Sequence, residues 1–232
     1  MRHRIFVDAL APSVTVTGDE FHHSVRVVRV RQGEEVEVFD RAGRVAKGIV
    51  ESLERDQAVI QVGDELPSRE AKLDLHLAVA IINLEKFELV LQKATELGVK
   101  SIIPLITERI ELRRERYAGK HDRWKKIVFE AVKQSGRSLV PVLEEPQEFA
   151  DVVKRNGTKV LFDADREPSP WPPSLASVIV FIGPEGGWSE DELDVAQSEG
   201  CTVARMGPRR LRAETAAIVA CALMAERYDD NF

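Results

Sequence analysis

The sequence has few cysteines and no long apolar segment, and both absences restrict its class. Only two of its 232 residues are cysteine, Cys201 and Cys221, and they do not form a Cys-x-x-Cys metal motif. A disulfide framework is therefore excluded, and a reducing compartment is expected. No apolar run approaches the roughly 20 residues of a transmembrane helix. The N-terminal segment MRHRIFVDAL lacks the apolar core of a secretion signal, so we expect a cytoplasmic protein without a membrane partner.

The usual phosphate-binding motifs are also absent, although a glycine-rich stretch, IGPEGGWSEDEL (182–193), follows the apolar run SVIVF. It has neither the Lys of a P-loop nor the glycine spacing of a dinucleotide fingerprint. Its four carboxylates would repel a pyrophosphate. The loop therefore suits a neutral or cationic ligand close to the backbone, and S-adenosylmethionine, a sulfonium without phosphates, fits. A plain Gly-Pro turn explains this stretch alone equally well.

The charge distribution leaves room for a polyanionic partner. The formal net charge is −6, but residues 109–137 contain ten Lys or Arg against four Asp or Glu. Residues 138–208 contain five against thirteen. An acidic body with one basic stretch can meet a nucleic acid on one face, although a solvated helical surface explains the stretch as well.

The first seventy residues predict several short strands. Alternating or β-rich runs occupy 4–7, 13–17, 35–39, 44–50 and 57–62. Residues 19–30 have the spacing of an amphipathic helix opened by Asp19. So many short strands in so few residues indicate a small β-barrel. The polar, Pro-containing segment 63–72 is the predicted linker.

From residue 73 the pattern changes to alternating strands and helices. Strands are predicted at 73–81, 101–106, 158–163, 177–182 and 201–206, and helices at 85–98, 120–136, from Ser189 to Gly200, and at 213–228. The Ser-x-x-Glu spacing at 189–192 is typical of a capping box. This alternation predicts an α/β fold with a mostly parallel sheet.

A second loop of the same kind, MGPRRLRAETAA (206–217), joins a predicted strand to the last helix. Two such loops at neighbouring strand ends would share one pocket. Three arginines, Arg209, Arg210 and Arg212, precede the positive end of that helix, so they should have another partner. Glu214 lies in its first turn, where an acidic residue also simply complements the helix dipole.

Together, GPEGGWSEDEL and MGPRRLRAETA resemble the ribosomal RNA small-subunit methyltransferases of the RsmE family, within the SPOUT superfamily. The segments FHHSVRVVRVRQGEEVEVFD (21–40), QKATELGV (92–99), ERI (108–110) and FEAVKQSGRSLVPVL (129–143) extend the resemblance over nearly the whole chain. The chain departs from the family pattern at Asn83, where a Lys is expected and the nearest is Lys86.

The resemblance implies a PUA-like RNA-binding β-barrel over 1–70 and an α/β domain with a trefoil knot over 71–232. It also implies a homodimer. The implied activity is transfer of a methyl group from S-adenosylmethionine to N3 of a specific uridine in 16S ribosomal RNA, free or in the assembled small subunit. The implied cofactor-binding positions are Phe162, Ile182, Gly183, Pro184, Gly187, Met206, Gly207, Arg209, Leu211 and Arg212.

Uridine N3 carries a proton, so methyl transfer requires its removal or stabilisation of the resulting anion. Arg212 is the candidate anion stabiliser, because a guanidinium can donate to a ring carbonyl oxygen. Glu214 is the candidate proton acceptor or orienting group, and a charge at the helix N-terminus is nearly as good an explanation for it.

Candidate RNA contacts are basic residues in the barrel and in the basic stretch, which would hold phosphates. They are Arg4, Arg26, Arg29, Arg113, Arg114, Lys133 and Arg137. No metal is expected, because the sulfonium methyl is already activated and His22 and His23 have no third ligand at a suitable spacing.

Three other functions are compatible with parts of the sequence. A non-catalytic RNA-binding assembly factor suits the barrel and the basic stretch, but it has no use for two glycine loops. A tRNA methyltransferase keeps the same enzyme class with another substrate. A hydrolase using the Glu185 and Glu192 carboxylates conflicts with the capping role of Glu192.

Overall fold

The computed structural model describes residues 3–27 and 29–229, and the side chains of residues 26 and 27 lie outside this description. The described residues divide into two compact units. The first contains the described residues up to Glu70 together with Val132–Val140. The second contains Ala71–Ala131 and the described residues from Pro141 onward. No pattern in the sequence indicates that Val132–Val140 belongs with the first unit.

The strands of the first unit form one sheet. They are β1 (His3–Val7), β2 (Ser13–Thr17), β3 (Glu35–Asp40), β4 (Val45–Leu53) and β5 (Gln57–Leu66). Among the described residues their order is β1-β3-β4-β5-β2. β1 and β3 are parallel, and the other neighbours are antiparallel. Because side chains alternate along a strand, Val36, Val38 and Ile60 all reach one buried core.

For this unit, the predicted bounds of one helix and of the linker are wrong. Residues 19–30 do not form one regular helix: α1 (Gly18–His22) passes into a π-helical turn, His23–Val27. The positive φ of Arg29, 64°, places this residue outside a right-handed helix, so the helix cannot continue to residue 30. The predicted linker begins too early, because β5 continues to Leu66, which pairs with Val45.

The second unit is an α/β domain. Its strands are β6 (Asp74–Ala80), β7 (Ser101–Ile106), β8 (Val142–Leu143), β9 (Gln147–Glu148), β10 (Lys159–Phe162), β11 (Ser177–Ile182) and β12 (Thr202–Ala204). The helices after residue 83 are α2 (Leu84–Glu96), α3 (Arg114–Tyr117), α4 (His121–Ser135), α5 (Phe149–Val152), α6 (Glu190–Ser198) and α7 (Ala213–Tyr228).

Every strand pair of this second sheet is parallel among the described residues. The order is β12-β10-β11-β6-β7-β8, and β9 also pairs with β7. The predicted α/β fold with a mostly parallel sheet is thereby confirmed. No helix of the described residues is both long and apolar enough to cross a membrane.

Helices cover both faces of this sheet, which explains its nearly continuous apolar strands. On one face Leu77 of β6 packs in a core with Phe87 of α2 and Met224 of α7. On the other, Phe181 of β11 packs with Phe149 of α5 and Leu193 of α6. These cores hold β10, β11 and β12 side by side, so the loops that follow them emerge at one edge of the sheet.

Candidate functional site

The loops that follow β10, β11 and β12 line one cavity of about 600 Å³. This volume lies within the range of small-molecule sites. Its apolar lining includes Phe162, Ile182, Met206 and Leu211. All ten predicted cofactor-binding positions line it, namely Phe162, Ile182, Gly183, Pro184, Gly187, Met206, Gly207, Arg209, Leu211 and Arg212.

The glycine loop after β11 is shaped by Trp188, which lies within the motif GPEGGWSEDEL but is not among the predicted site residues. Trp188 is buried, and its Nε1 donates to the backbone oxygen of Phe162 at 3.1 Å. A Cβ on Gly183 would lie 3.0 Å from the indole ring, so a larger residue there would have to displace the ring or the loop. Gly187 turns the chain with φ of 70°, and its N–H donates to the Pro184 oxygen at 2.9 Å.

The capping box predicted at the start of α6 is present. The Ser189 hydroxyl accepts from the Glu192 N–H at 3.2 Å, and Glu192 Oε2 accepts from the Ser189 N–H at 2.9 Å. Glu192 Oε1 accepts from the Glu108 N–H at 2.9 Å. Both oxygens of the buried Glu192 carboxylate therefore accept hydrogen bonds from backbone N–H groups. This argues against a hydrolase that uses Glu192.

A further loop, the one after β7, reaches the cavity through Arg109. Its Nη1 donates to the Gly186 oxygen at 3.1 Å, and a Cβ on Gly186 would lie 3.2 Å from the Arg109 Cβ. This contact joins the segment after β7 to the glycine loop. The sequence signal was present only as ERI (108–110), within the family resemblance.

The arginine segment after β12 (residues 209–212) contains three arginines, of which one has a carboxylate partner among the described residues. Arg210 forms an ion pair with Asp165 of the loop after β10. The side chains of Arg209 and Arg212 make no hydrogen bond or ion pair with another described residue, and both line the cavity. Of the three arginines that were expected to have a partner, Arg210 therefore has one among the described residues. The other two guanidiniums are available to a ligand.

Glu214 lies in the first turn of α7 and is 9% exposed. Its Oε2 accepts no hydrogen bond from the described residues, which is costly for a buried carboxylate. Lys86 Nζ lies 3.7 Å from this oxygen and 3.5 Å from Glu185 Oε1. At the position where the family pattern has Lys, the Asn83 side chain instead caps α2 by accepting from the Glu85 N–H at 3.1 Å.

Three of the predicted RNA contacts are corrected by the structure. Arg4, Lys133 and Arg137 are buried in ion pairs of the first unit, with side-chain exposures of 7%, 8% and 5%. Their partners are Glu37, Glu20 and Glu70, respectively. A guanidinium or ammonium enclosed in this way cannot reach a phosphate, so these cations stabilise the unit instead.

The remaining candidate RNA contacts are not buried where the structure describes their side chains. Arg29, Arg113 and Arg114 are exposed. The side chain of Arg26 lies outside the described residues. His22 is exposed and His23 half-buried, and no group of three potential metal ligands occurs among the described residues.

Comparison with known families assigns both parts of the chain. A family model described as an RNA methyltransferase domain matches residues 69–225. A second, described as an RNA methyltransferase PUA domain, matches residues 16–63. The two matches cover the parallel α/β unit and most of the N-terminal sheet.

Individual proteins agree with these models. The ribosomal RNA small subunit methyltransferase E of Synechocystis is 31% identical over 96% of this chain and 77% of its own length. The protein of the same name from Bacillus subtilis is 29% identical over 90% and 88%. A solved structure of the Neisseria gonorrhoeae protein of that name, bound to S-adenosyl methionine, superposes with a TM-score of 0.90 at 30% identity and 99% coverage of both chains.

The cavity at the ends of three parallel strands, the two family models and the named relatives all indicate the same family. The chain belongs to the ribosomal RNA small subunit methyltransferase E family, with an RNA methyltransferase domain and an N-terminal PUA domain.

Proposed function

We propose that the protein transfers a methyl group from S-adenosylmethionine to N3 of a uridine in the ribosomal RNA of the small subunit. The observation that carries this proposal is the cavity at the ends of β10, β11 and β12, lined by both glycine loops and by two arginines that have no partner among the described residues. The relatives named above support the cofactor and the RNA class. N3 is chosen because the site offers an anion stabiliser and an acceptor, which an imide nitrogen requires.

The residues present fit S-adenosylmethionine. Met206 and Leu211 supply apolar surface for an adenosine, and the glycines at 183 and 207 keep side chains away from the backbone that would hold it. A sulfonium-activated methyl group is what the cofactor supplies when bound. Recognition through the backbone would make the loop conformation more important than individual side-chain charges.

The protein's own residues then act on the uridine. The free guanidinium of Arg212 donates to a uracil carbonyl oxygen and stabilises the charge that develops as the N3 proton leaves. The Glu214 carboxylate, with an oxygen that accepts no hydrogen bond among the described residues, accepts or orients that proton. Because N3 lies on the pairing edge, the uridine must leave its helix, as bases do in other enzymes that modify them.

We extend the proposal to two domains that divide at residue 70, apart from Val132–Val140, which belongs with the first unit. The first domain binds RNA through exposed cations such as Arg29, and Arg113 and Arg114 contribute from the second. A homodimer and a trefoil knot follow from the family resemblance, and a cytoplasmic location from the low cysteine content.

The test is a methyl-transfer assay with labelled S-adenosylmethionine on small ribosomal subunits that lack the modification, followed by primer extension. An N3-methyl group blocks base pairing, so a new reverse-transcriptase stop at one uridine is the expected result. Label without a stop would move the target to another atom. Unlabelled subunits, together with labelled tRNA in a parallel reaction, would move the target to tRNA. Failure to bind the cofactor would leave an RNA-binding assembly factor as the better function.

A glycine substitution tests the cavity separately. In Gly183→Ala the added Cβ meets the buried Trp188 ring at 3.0 Å, so the ring or the loop must move. We expect cofactor affinity to fall about tenfold, the scale of an overpacked site. Isothermal titration calorimetry measures it. The control is Gly63→Ala in β5, where the Cβ meets nothing closer than 3.7 Å. Equal affinity in Gly183→Ala and wild type would contradict a close role for this loop.

A further inference from the structure

We infer that Lys86 is the positioning residue that holds the glycine loop after β11 and the start of α7 at their working separation. This inference rests on the proposed function, because it concerns the same cavity. Lys86 lies in the first turn of α2, and none of the motifs that predict the cavity includes it. Its ammonium contacts carboxylates from two other elements, Glu185 of the loop after β11 and Glu214 of α7.

Because these groups are partly or largely buried, breaking their ion pairs costs more stability than breaking surface pairs does. The Glu214 side chain is 12% exposed, and Lys86 and Glu185 are each about one-third exposed at 35% and 34%. The Glu214 Oε2 has no hydrogen bond within the described chain, so the ammonium at 3.7 Å is the compensating charge that the structure gives this oxygen. Removing one partner of an enclosed ion pair costs far more than removing one on the surface.

Lys86 also separates two like charges. Its two distances place the contacted oxygens of Glu185 and Glu214 within about 7 Å of each other, where unscreened carboxylates repel. Without the lysine, Glu185 is pushed from Glu214, and the glycine loop moves with it. Glu185 lines the cavity, and so do Ala213 and Ala216 on either side of Glu214. The cation therefore fixes the distance between two walls of the cavity.

The test compares Lys86→Met with wild type by calorimetry of S-adenosylmethionine binding. We expect about tenfold weaker binding, in keeping with a partly enclosed ion pair. Lys86→Arg keeps the charge and should recover most of the affinity. Lys93→Met is the matched control, because Lys93 is on the same helix, 37% exposed, and paired only locally with Glu96 in the contacts described.

The decisive variant is the double substitution Lys86→Met with Glu185→Gln. If the lysine acts by separating two carboxylates, removing one carboxylate relieves the repulsion and restores part of the affinity. A merely destabilised fold would become worse or stay unchanged. Hydrogen exchange of residues 183–188 should rise in Lys86→Met and fall again in the double variant.

The outcomes separate this inference from the proposed function. Wild type that fails to bind S-adenosylmethionine overturns the proposed function. Wild type that binds, with Lys86→Met binding equally well, overturns the positioning role alone. The positioning role is also overturned if Lys86→Met weakens binding and adding Glu185→Gln does not restore any of the affinity.

Discussion

Arg212→Ala is expected to reduce the turnover of methyl transfer about a hundredfold or more while changing cofactor affinity little. Loss of one preorganised donor to a developing oxyanion costs on this scale. Affinity should survive, because the backbone of the arginine segment, rather than its side chains, is proposed to hold the cofactor. The measurement is single-turnover methyl transfer to small ribosomal subunits, with calorimetry of S-adenosylmethionine on the same preparation.

Two further variants make this prediction specific. Arg212→Lys keeps the charge but not the planar fork, so an intermediate rate is expected. Arg227 is an exposed arginine at the opposite end of α7, and its guanidinium stacks on Trp171. Arg227→Ala should leave the rate of methyl transfer within about twofold of wild type. An Arg212→Ala enzyme with the wild-type rate would remove Arg212 from the mechanism.

Glu70→Gln is expected to destabilise the first unit by about 3 kcal/mol, the scale of breaking an enclosed ion pair. The Glu70 carboxylate accepts from Arg137 Nε and Nη2 at 3.1 and 2.8 Å, and from the Ser138 and Leu139 N–H groups at 2.7 and 3.0 Å. These bonds tie residues 132–140 to the end of the N-terminal segment. Urea unfolding followed by circular dichroism measures the loss.

The pH dependence of this effect has a definite sign. Burial by itself would raise the pKa of Glu70, but the hydrogen bonds and charge of Arg137 with the two backbone N–H groups hold it below the ordinary 4.5. A carboxyl with a lowered folded-state pKa stabilises fully above its unfolded value and loses that contribution as pH falls through the folded value. The difference between wild type and Glu70→Gln should therefore be full at neutral pH and shrink below about pH 4.5.

Glu65→Gln is the matched control for stability. Glu65 belongs to the same unit but is 65% exposed, and its contact with Arg44 is at 3.8 Å. A change of less than about 0.5 kcal/mol is expected there. Equal effects of the two substitutions would show that the Glu70 network contributes nothing beyond a surface pair.

The sequence by itself determined the principal strands and helices of the α/β unit, and the family resemblance of its two glycine loops indicated positions that line the cavity. Its strands carry continuous apolar runs because both faces are covered, and its helices begin and end at local signals such as the Ser189 capping box and Gly98, which has a φ of 87°. The local signals for these elements lie within a few residues of each other and need no tertiary information. In a parallel sheet the loops that follow the strands emerge at one edge, so the sequence also predicts that the two glycine loops share a pocket. In the structure they do, although β10 lies between β11 and β12.

Only the tertiary structure decided which charges are free. Arg4, Lys133 and Arg137 look the same in the sequence as Arg113, but carboxylates distant in the chain enclose them: Glu37 lies 33 residues from Arg4, and Glu70 lies 67 from Arg137. Lys86 reaches Glu185 across 99 residues. Local periodicity reports which face of an element is apolar, whereas the partner of a charged side chain depends on which distant element packs beside it. Folding of the chain therefore separates the cations that stabilise the protein from those left for a ligand.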